Sequence, residues 1–529
     1  MQEQIERELD DSRRRAQTPL DKAKGISTVL PEKALQGAAF TVSEIRIDAG
    51  GFDKKVEVVD VMRGYLGRTL DHQGLFSLVR DVTNRYAEAG YVTTTIGLVP
   101  VNLSQGVLEL QVRWGLVEGW RIDGRRPETF AERAMVAQAM PGAIGRPLNI
   151  RDIDQAIENL NNFHKSARID VEPATRDGYS ILHLRTSSSR LPSLSLNADN
   201  SGTRSPTFGR YRLSATANLS DVLLGNDTIS VNGSSRRYRD GAAFYEYSGG
   251  ASYNVPYGRA QADVRFTETR YKQAISGYYG KYSTYGNSQL YSLKPVVVLA
   301  RNKTRKVSAF AELEHRTSAN YVGDTYLAVN SKPYTTLGLG LQWVTQWAGG
   351  SLYADAAVVS GVPWFRGEQS AVDSAGAKRY LRKIIFNGAW ARSFAIGEES
   401  VEYSLRLGGQ FSDDGMLSAY KQTLGDEFTV RGYKGGVLWG DRGIFAQNTL
   451  SLPLKFNSVS ISPFLGVDAG YAQNRFEADS RGRTLVGASV GARINHRNAN
   501  LSFGWAAPLH THAPDAKPVV YLSAAINSR

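Results

Sequence analysis

The feature that most constrains this chain is a run of short alternating segments that continues from residue 190 to residue 529. Apolar and polar residues alternate between turns rich in Gly, Asn, Asp and Ser, as in Leu337–Trp343 and Val401–Leu407. A period of two is typical of β-strands that have one apolar and one polar face. The C-terminal two-thirds of the chain is therefore predicted to be a large all-β domain.

Two architectures can accommodate such strands: a soluble sandwich or propeller, and a transmembrane β-barrel with lipid outside and a wet lumen. About 340 residues of strand pattern exceed a normal soluble β-domain. Aromatic residues lie near segment ends, for example Trp343, Trp347 and Trp364, where membrane-interface girdles form. At about 20 residues per strand and turn, the region holds roughly sixteen strands. The pattern favours a mainly β chain with a roughly 16-stranded transmembrane barrel.

Residues 38–189 repeat one pattern of a strand, two helices and two strands. The first copy has helices near Val56–Leu66 and Leu75–Ala89, then strands Tyr91–Pro100 and Gly106–Trp114. The second copy has a strand at Val117–Ile122, helices at Glu128–Met140 and Ile150–His164, and strands at Ala167–Val171 and Tyr179–Leu184. Each unit is small and leaves a sheet edge open, and an open edge can accept an extended guest strand.

The first residues predict a short charged helix over 3–16, followed by a linker to residue 37. Acidic residues come first and the cluster Arg13, Arg14 and Arg15 comes last, an order that suits the helix dipole. The apolar side chains Ile5 and Leu9 are too few to hold the helix in a core. A solvated helix, or one that lies in a polar cavity, fits this composition.

Composition excludes several function classes. The 529 residues include no cysteine, which excludes disulfides and thiolate chemistry. The net charge of +12 arises from scattered basic residues without a nucleic-acid-binding motif, so we expect no nucleic-acid partner.

Local motifs give no reason to expect a catalytic, cofactor-binding or metal site. Gly487–Gly491 has the spacing of a nucleophile elbow but lies in an alternating strand. His510 and His512 are close enough to share a metal, yet the neighbouring prolines favour an ordinary turn.

The most informative local sequence is Val430-Arg431-Gly432-Tyr433, which lies in a glycine-rich stretch. About thirty residues later, a strand over 462–470 places Asp468 on the face opposite Leu465 and Val467, hence in the lumen. A carboxylate fixed on a wall favours a cation, and Arg431 on a flexible loop is able to reach it. The alternative is that Arg431 lies on a surface hairpin and that Asp468 is merely solvated.

Taken together, these motifs resemble the outer-membrane transporters of two-partner secretion (the TpsB family), whose superfamily also contains the outer-membrane barrel insertases. The resemblance covers nearly the whole chain. Its further matching stretches are Gly90–Thr94, Ile153–Ala156 and Asp199–Gly202. Contact-dependent inhibition transporters and filamentous-haemagglutinin-type transporters are the candidate subgroups.

The resemblance implies a role for each segment. It assigns a plug helix to 1–20, a linker to 21–37, POTRA-like domains to 38–116 and 117–189, and the barrel to 190–529, with an inward-folded loop around 425–443. Arg431 becomes the loop-tip arginine and Asp468 its partner, a lock between loop and barrel. The remaining site residues implied are Val430, Gly432 and Tyr433 in the tip, Phe464, Gly466 and Gly470 in the wall, and Ile5, Leu9, Arg13, Arg14 and Arg15 in the plug.

The function implied is a pore, not an enzyme. It recognises a large exoprotein (adhesin, haemolysin or contact-dependent inhibition toxin) by its N-terminal secretion domain and exports it unfolded without nucleotide hydrolysis or cofactors. Other expected partners are outer-membrane lipid and lipopolysaccharide, with periplasmic chaperones as candidates, and we expect a monomer whose POTRA-like domains face the periplasm. An insertase of the same superfamily is the alternative, followed by a barrel enzyme or a diffusion porin.

Family barrels usually end in an aromatic residue, whereas this chain ends Ile526-Asn527-Ser528-Arg529, which leaves its insertion signal open.

Overall fold

A computed structural model describes residues 39–52, 56–99, 105–188, 192–202, 209–237, 245–277, 280–328, 331–365, 380–474, 481–510 and 516–528. The predicted plug helix and linker, residues 1–20 and 21–37, lie outside the described residues. The described part of the chain consists of two small α/β units followed by a large closed barrel.

The first unit packs two helices on a three-stranded sheet. Its strands are β1 (Phe40–Thr41), β2 (Glu44–Asp48), β3 (Thr69–Leu70), β4 (Thr95–Leu98) and β5 (Val107–Arg113), and its helices are α1 (Val59–Arg63) and α2 (His72–Glu88). The sheet order is β2-β5-β4, with β2 parallel and β4 antiparallel to β5. Helix α2 buries Leu75, Leu78, Val79, Val82 and Tyr86 along one face against this sheet. The edge strands are β2 and β4.

The second unit repeats the arrangement. It comprises β6 (Leu116–Ile122), α3 (Phe130–Ala139), α4 (Ile150–Leu160), β7 (Lys165–Pro173) and β8 (Tyr179–Ser188), with sheet order β6-β8-β7. Helix α3 begins with a capping box between Thr129 and Glu132, which satisfies backbone donors at its first turn. Helix α4 ends at Leu160, earlier than the sequence predicts, because the Asn161 and Asn162 side chains accept hydrogen bonds from backbone N–H groups at 164–167.

The barrel contains sixteen antiparallel strands, which confirms the predicted number and fold class. They are β9 (Ser193–Asp199), β10 (Tyr211–Ser220), β11 (Thr228–Arg237), β12 (Tyr245–Tyr257), β13 (Ala260–Gly277), β14 (Gly280–Arg301), β15 (Arg305–Val322), β17 (Tyr334–Trp347), β18 (Gly350–Gly361), β19 (Arg382–Ile396), β20 (Glu399–Ser412), β23 (Arg442–Ser451), β25 (Val459–Gln473), β26 (Arg483–His496), β27 (Ala499–His510) and β28 (Val519–Asn527). Short segments β16 (Thr325–Tyr326) and β24 (Leu454–Phe456) extend two hairpins. The hairpin β21 (Gln422–Leu424) and β22 (Leu438–Gly440) lies within the loop that joins β20 to β23.

The barrel surface is apolar outside and polar inside. Leu339, Leu341 and Val358 are exposed, as lipid-facing side chains are in the absence of lipid. The lumenal face carries buried polar groups such as Arg406 and Gln410. None of the helices in the described part of the chain has the length and apolar character needed to cross a bilayer.

The second α/β unit is docked on the turns at one end of the barrel. The Lys165 ammonium donates to Asp221 at 2.8 Å and to the Gly225 carbonyl at 3.0 Å, both in the turn after β10. Asp152 pairs with Arg259 at 2.7 Å in the turn after β12. Glu158 pairs with Arg301 at 2.6 Å and also with Lys306, which flank the turn after β14. Three turns therefore hold this unit by charge-assisted hydrogen bonds.

Glu158 takes part in two of the ion pairs described for this interface. Burial opposes ionisation of the carboxyl, but the positive charges of Lys306 and Arg301 outweigh it and lower its pKa from 4.5 to about 2. A group whose pKa is lowered in the docked state contributes stability above its ordinary pKa and loses it as pH falls. The contribution of Glu158 to docking is therefore complete above pH 4.5 and declines toward pH 2.

We expect Glu158→Gln to loosen the docked unit at neutral pH, because two cations lose their counter-charge. The side chain is partly exposed, so the cost is about 1–2 kcal/mol, a roughly tenfold rise in the undocked population. Spin labels on cysteines introduced at Asp177 and Glu398 report the distance between the second unit and the barrel by double electron–electron resonance. No native cysteine competes for the labels. Glu88→Gln, which removes an exposed ion pair with Arg85, serves as the control and should leave the distribution unchanged. An unchanged distribution in Glu158→Gln would contradict the prediction.

Candidate functional site: an inward loop on the barrel wall

The loop that joins β20 to β23 folds into the lumen and packs against the wall. Its apolar residues Leu424, Val430 and Tyr433 are buried with Phe445 and Leu485 of the barrel. The hairpin β21–β22 closes the base of the loop, with Gln422 opposite Gly440. The Asp426 carboxylate accepts hydrogen bonds from the backbone of Phe428 and Thr429, which shapes the turn before the tip. The loop is thus a folded element and not a loose connection.

At the tip, Arg431 and Asp468 form a bidentate ion pair. The guanidinium Nε donates to Asp468 Oδ2 at 2.7 Å and Nη2 donates to Oδ1 at 2.7 Å. The backbone N–H of Arg431 also donates to Oδ2 at 3.0 Å. The side chain of Asp468 is completely buried and that of Arg431 is 8% exposed. Two parallel N–H···O bonds fix direction as well as charge, so the tip is held in one orientation.

Both groups of the pair also make hydrogen bonds to the backbone of the neighbouring strand. Arg431 Nη2 donates to the Asn448 carbonyl at 2.6 Å, and the Asn448 backbone N–H donates to Asp468 Oδ1 at 3.2 Å. The Arg431 guanidinium lies 6.0 Å from the centre of the Phe464 ring, at the limit of a cation–π contact. A buried ion pair is stable only when such further hydrogen bonds are made. Removal of either partner would leave a buried charge uncompensated.

Glycines in the wall strand provide the space that the tip occupies. On the lumenal face of β25, Gly466 and Gly470 lie on either side of Asp468. A Cβ at Gly466 would overlap the Arg431 guanidinium, and one at Gly470 would lie 2.7 Å from Val430 Cγ2. The wall motif therefore combines a charge with two positions where no side chain fits.

The tip itself requires glycine at 432. Gly432 has φ of +106°, and a Cβ there would lie 2.8 Å from the Ala507 backbone. Tyr433 follows, and its hydroxyl donates to the His510 carbonyl at 2.6 Å. The structure therefore brings the predicted tip residues and Asp468 into one buried site.

Sequence reasoning missed several residues of this site. Gly487 of β26 has room for no side chain, because a Cβ would overlap the Arg431 carbonyl. Its sequence context indicates only a chance nucleophile-elbow spacing to Gly491. Tyr521 accepts a hydrogen bond from the Gly432 N–H, and the Lys434 ammonium donates to the Asn200 carbonyl. The proximity of Lys434 to the Arg-Gly-Tyr tip was the only local signal for it.

Two groups of residues considered in the sequence, the His510/His512 pair and the plug helix, lie partly or wholly outside the described residues. His512 lies outside the described residues, whereas the His510 backbone takes part in holding Tyr433. Ile5, Leu9, Arg13, Arg14 and Arg15 also lie outside the described residues. Within the described ranges, no group of three His, Asp or Glu side chains is placed to hold a metal ion.

We expect Gly466→Ala to displace the loop tip, because the added methyl group overlaps the Arg431 guanidinium. Proteolysis after Lys434 by a lysine-specific protease should become at least about tenfold faster while the barrel stays folded. Gly338→Ala is the matched control, since a Cβ at this lumenal position on β17 would lie no nearer than 3.4 Å to other atoms. Equal cleavage rates in the two variants would contradict the assigned packing.

The same domain organisation occurs in a known protein family. The family described as haemolysin secretion/activation protein ShlB/FhaC/HecB matches residues 178–494, more than half of the chain. The ShlB-type POTRA domain matches residues 40–115, and a second POTRA domain matches residues 116–173. Both matches fall on the two α/β units.

Individual relatives agree with the family match. The outer membrane transporter CdiB of Dickeya dadantii is 30% identical over 90% of this chain and 84% of its own length. The hemolysin transporter protein ShlB of Serratia marcescens is 26% identical over 84% of this chain and 78% of its own. The solved structure of CdiB from Escherichia coli has a TM-score of 0.88 at 25% identity and covers 100% of this chain and 98% of its own. The chain belongs to the ShlB/FhaC/HecB family of haemolysin secretion/activation proteins, the outer-membrane transporters of two-partner secretion.

Proposed function

We propose that this chain exports one large partner exoprotein, in unfolded form, through the barrel and that the loop tip is the lock of the closed pore. The observation that carries the proposal is the buried bidentate pair between Arg431 and Asp468, which anchors a folded loop inside a polar lumen. Relatives named as transporters of hemolysin and as CdiB make a haemolysin or a contact-dependent inhibition toxin the first candidates for cargo. The chain acts as a conduit and not as an enzyme.

Selection of the cargo is assigned to the two POTRA units. Each has a three-stranded sheet with two edge strands, β2 and β4 in the first and β6 and β7 in the second. An extended segment of the exoprotein can add to such an edge through main-chain hydrogen bonds. Because the second unit is docked on three turns of the barrel, a segment bound there is held near the entrance to the lumen.

Transport needs no nucleotide in this proposal. Cargo binding shifts the loop from its locked to its released position, and the chain then threads outward. A ligand shifts such an equilibrium only by its differential affinity for the two states. Folding of the cargo outside the cell supplies the direction of transport.

We propose further that the protein acts as a monomer among outer-membrane lipid and lipopolysaccharide, and that periplasmic chaperones deliver its cargo.

The insertase function is the less supported alternative, since the family match and the relatives described above are secretion proteins. The two functions differ in what is lost when the chain is absent. A transporter mutant lacks one surface exoprotein, whereas an insertase mutant lacks many barrels.

We expect Arg431→Ala and Asp468→Ala each to lower exoprotein export at least about tenfold in a strain that lacks the native gene, because each leaves a buried charge alone. The double variant should be no worse than the worse single variant, as expected for one shared interaction. Surface exoprotein per folded barrel is the measured quantity.

Asp355→Ala provides the control for this experiment. Asp355 is also a lumenal aspartate and accepts a hydrogen bond from Asn387 at 3.1 Å, on β18 and away from the loop tip. Export should remain near the native level. Additive losses from the two lock variants would show that Arg431 and Asp468 act separately.

The proposal includes a plug formed by residues 1–20, with Ile5, Leu9, Arg13, Arg14 and Arg15 in its helix. Deletion of these residues should raise the single-channel conductance of purified protein in planar bilayers, because the helix no longer occupies the lumen. Heat-modifiable migration in gels verifies that the barrel is intact. Conductance equal to that of the full chain would argue against the plug.

A further inference from the structure

The barrel closes where its first and last strands meet, and this seam is short. Five register pairs join β28 to β9, from Ser523 opposite Asp199 to Asn527 opposite Ser195. By comparison, β27 and β28 share eight pairs and β9 and β10 share seven. Among the sixteen described barrel strands, β9 and β28 therefore form the contact with the fewest main-chain pairs.

Asn200 extends the seam beyond its last main-chain pair. Its backbone N–H donates to the Leu522 carbonyl at 3.1 Å. Its side-chain amide donates to the Val520 carbonyl at 2.9 Å and accepts from the Leu522 N–H at 2.9 Å. One buried asparagine thus makes three hydrogen bonds to the last strand, in place of the next rungs of the ladder.

The loop tip reaches both sides of this seam. The Tyr521 hydroxyl on β28 accepts a hydrogen bond from the Gly432 N–H at 3.2 Å and donates to the Tyr433 carbonyl. The Lys434 ammonium donates to the Asn200 carbonyl, directly after β9, and lies 5.4 Å from the centre of the Tyr521 ring. Tyr521 is 8% exposed, so these bonds are sheltered from water.

We propose that the loop tip is a staple across the barrel seam, and that Tyr521, Lys434 and Asn200 are its positioning residues. They form a second anchor that is spatially distinct from the ion pair on β25. Withdrawal of the loop then does two things at once: it clears the lumen, and it removes the loop's own bonds to Tyr521 on β28 and to Asn200 after β9. The seam strands β9 and β28 are therefore held together most firmly while the loop is in place.

This inference concerns the empty protein and does not depend on which cargo is exported. Tyr521→Phe removes one hydroxyl and keeps the ring, and Lys434→Gln removes the ammonium. Hydrogen–deuterium exchange of the full chain in lipid nanodiscs is measured by mass spectrometry for peptides that cover 193–202 and 519–527. Peptides from β19 and β20 serve as the internal reference.

We expect amides of β9 and β28 to exchange at least about fivefold faster in each variant, with the β19–β20 reference unchanged, because a lost buried hydrogen bond releases only the strands it joins. Tyr271→Phe is the matched control, since Tyr271 on β13 donates its hydroxyl to Asn320 at 2.8 Å away from the loop. It should leave the seam unchanged. Native seam exchange in both variants, or an equal increase over all strands, would overturn the inference. Loss of export with native seam exchange would leave the transport proposal standing and the staple rejected.

Discussion

In a membrane, every backbone N–H and C=O group needs a partner within the protein, because the hydrocarbon supplies none. A closed antiparallel sheet meets this requirement, and the remainder of the molecule follows from that closure. The inner face of the wall no longer has to be apolar, so it can carry Asp468 and Arg406 at buried lumenal positions. The same closure requires the first and last strands to pair, which creates a seam at β9 and β28.

The wall motif shows how charge and space act together. An aspartate alone on the lumenal face would be solvated and would hold nothing. Gly466 and Gly470 let the loop tip approach so closely that Arg431 bonds to Asp468 through its backbone as well as its guanidinium. Because the pair is buried, removal of only one partner costs about 3–5 kcal/mol. The tip is therefore held in one defined position against the wall.

The sequence predicts what depends on short-range periodicity. The strand pattern, the helices of the two β-α-α-β-β units and the inward orientation of Asp468 follow from the spacing of apolar residues within single elements, and Leu465 and Val467 are indeed exposed on the opposite face. Contacts between distant positions leave no such signal. Lys434 meets Asn200, and Glu158 meets Arg301, only after the chain has closed into a barrel. The early end of helix α4 depends on side-chain bonds of Asn161 and Asn162, which compete with helical ones.

If the loop is the lock of the pore, as proposed above, its contacts constrain how the pore opens. Three sets of contacts hold the tip on the wall: the buried ion pair, the Tyr433 hydroxyl bond to the His510 carbonyl, and the Gly432 bond to Tyr521 on β28. To move such an equilibrium from 1:99 to 99:1, a ligand must bind the open state about 10⁴-fold more tightly than the closed one. A single strand added to a POTRA edge spends part of its binding energy on ordering the cargo segment. In the proposed mechanism, opening is therefore driven by cargo contacts that form only when the loop has left the wall, and the lumenal surface under the loop is where we expect them.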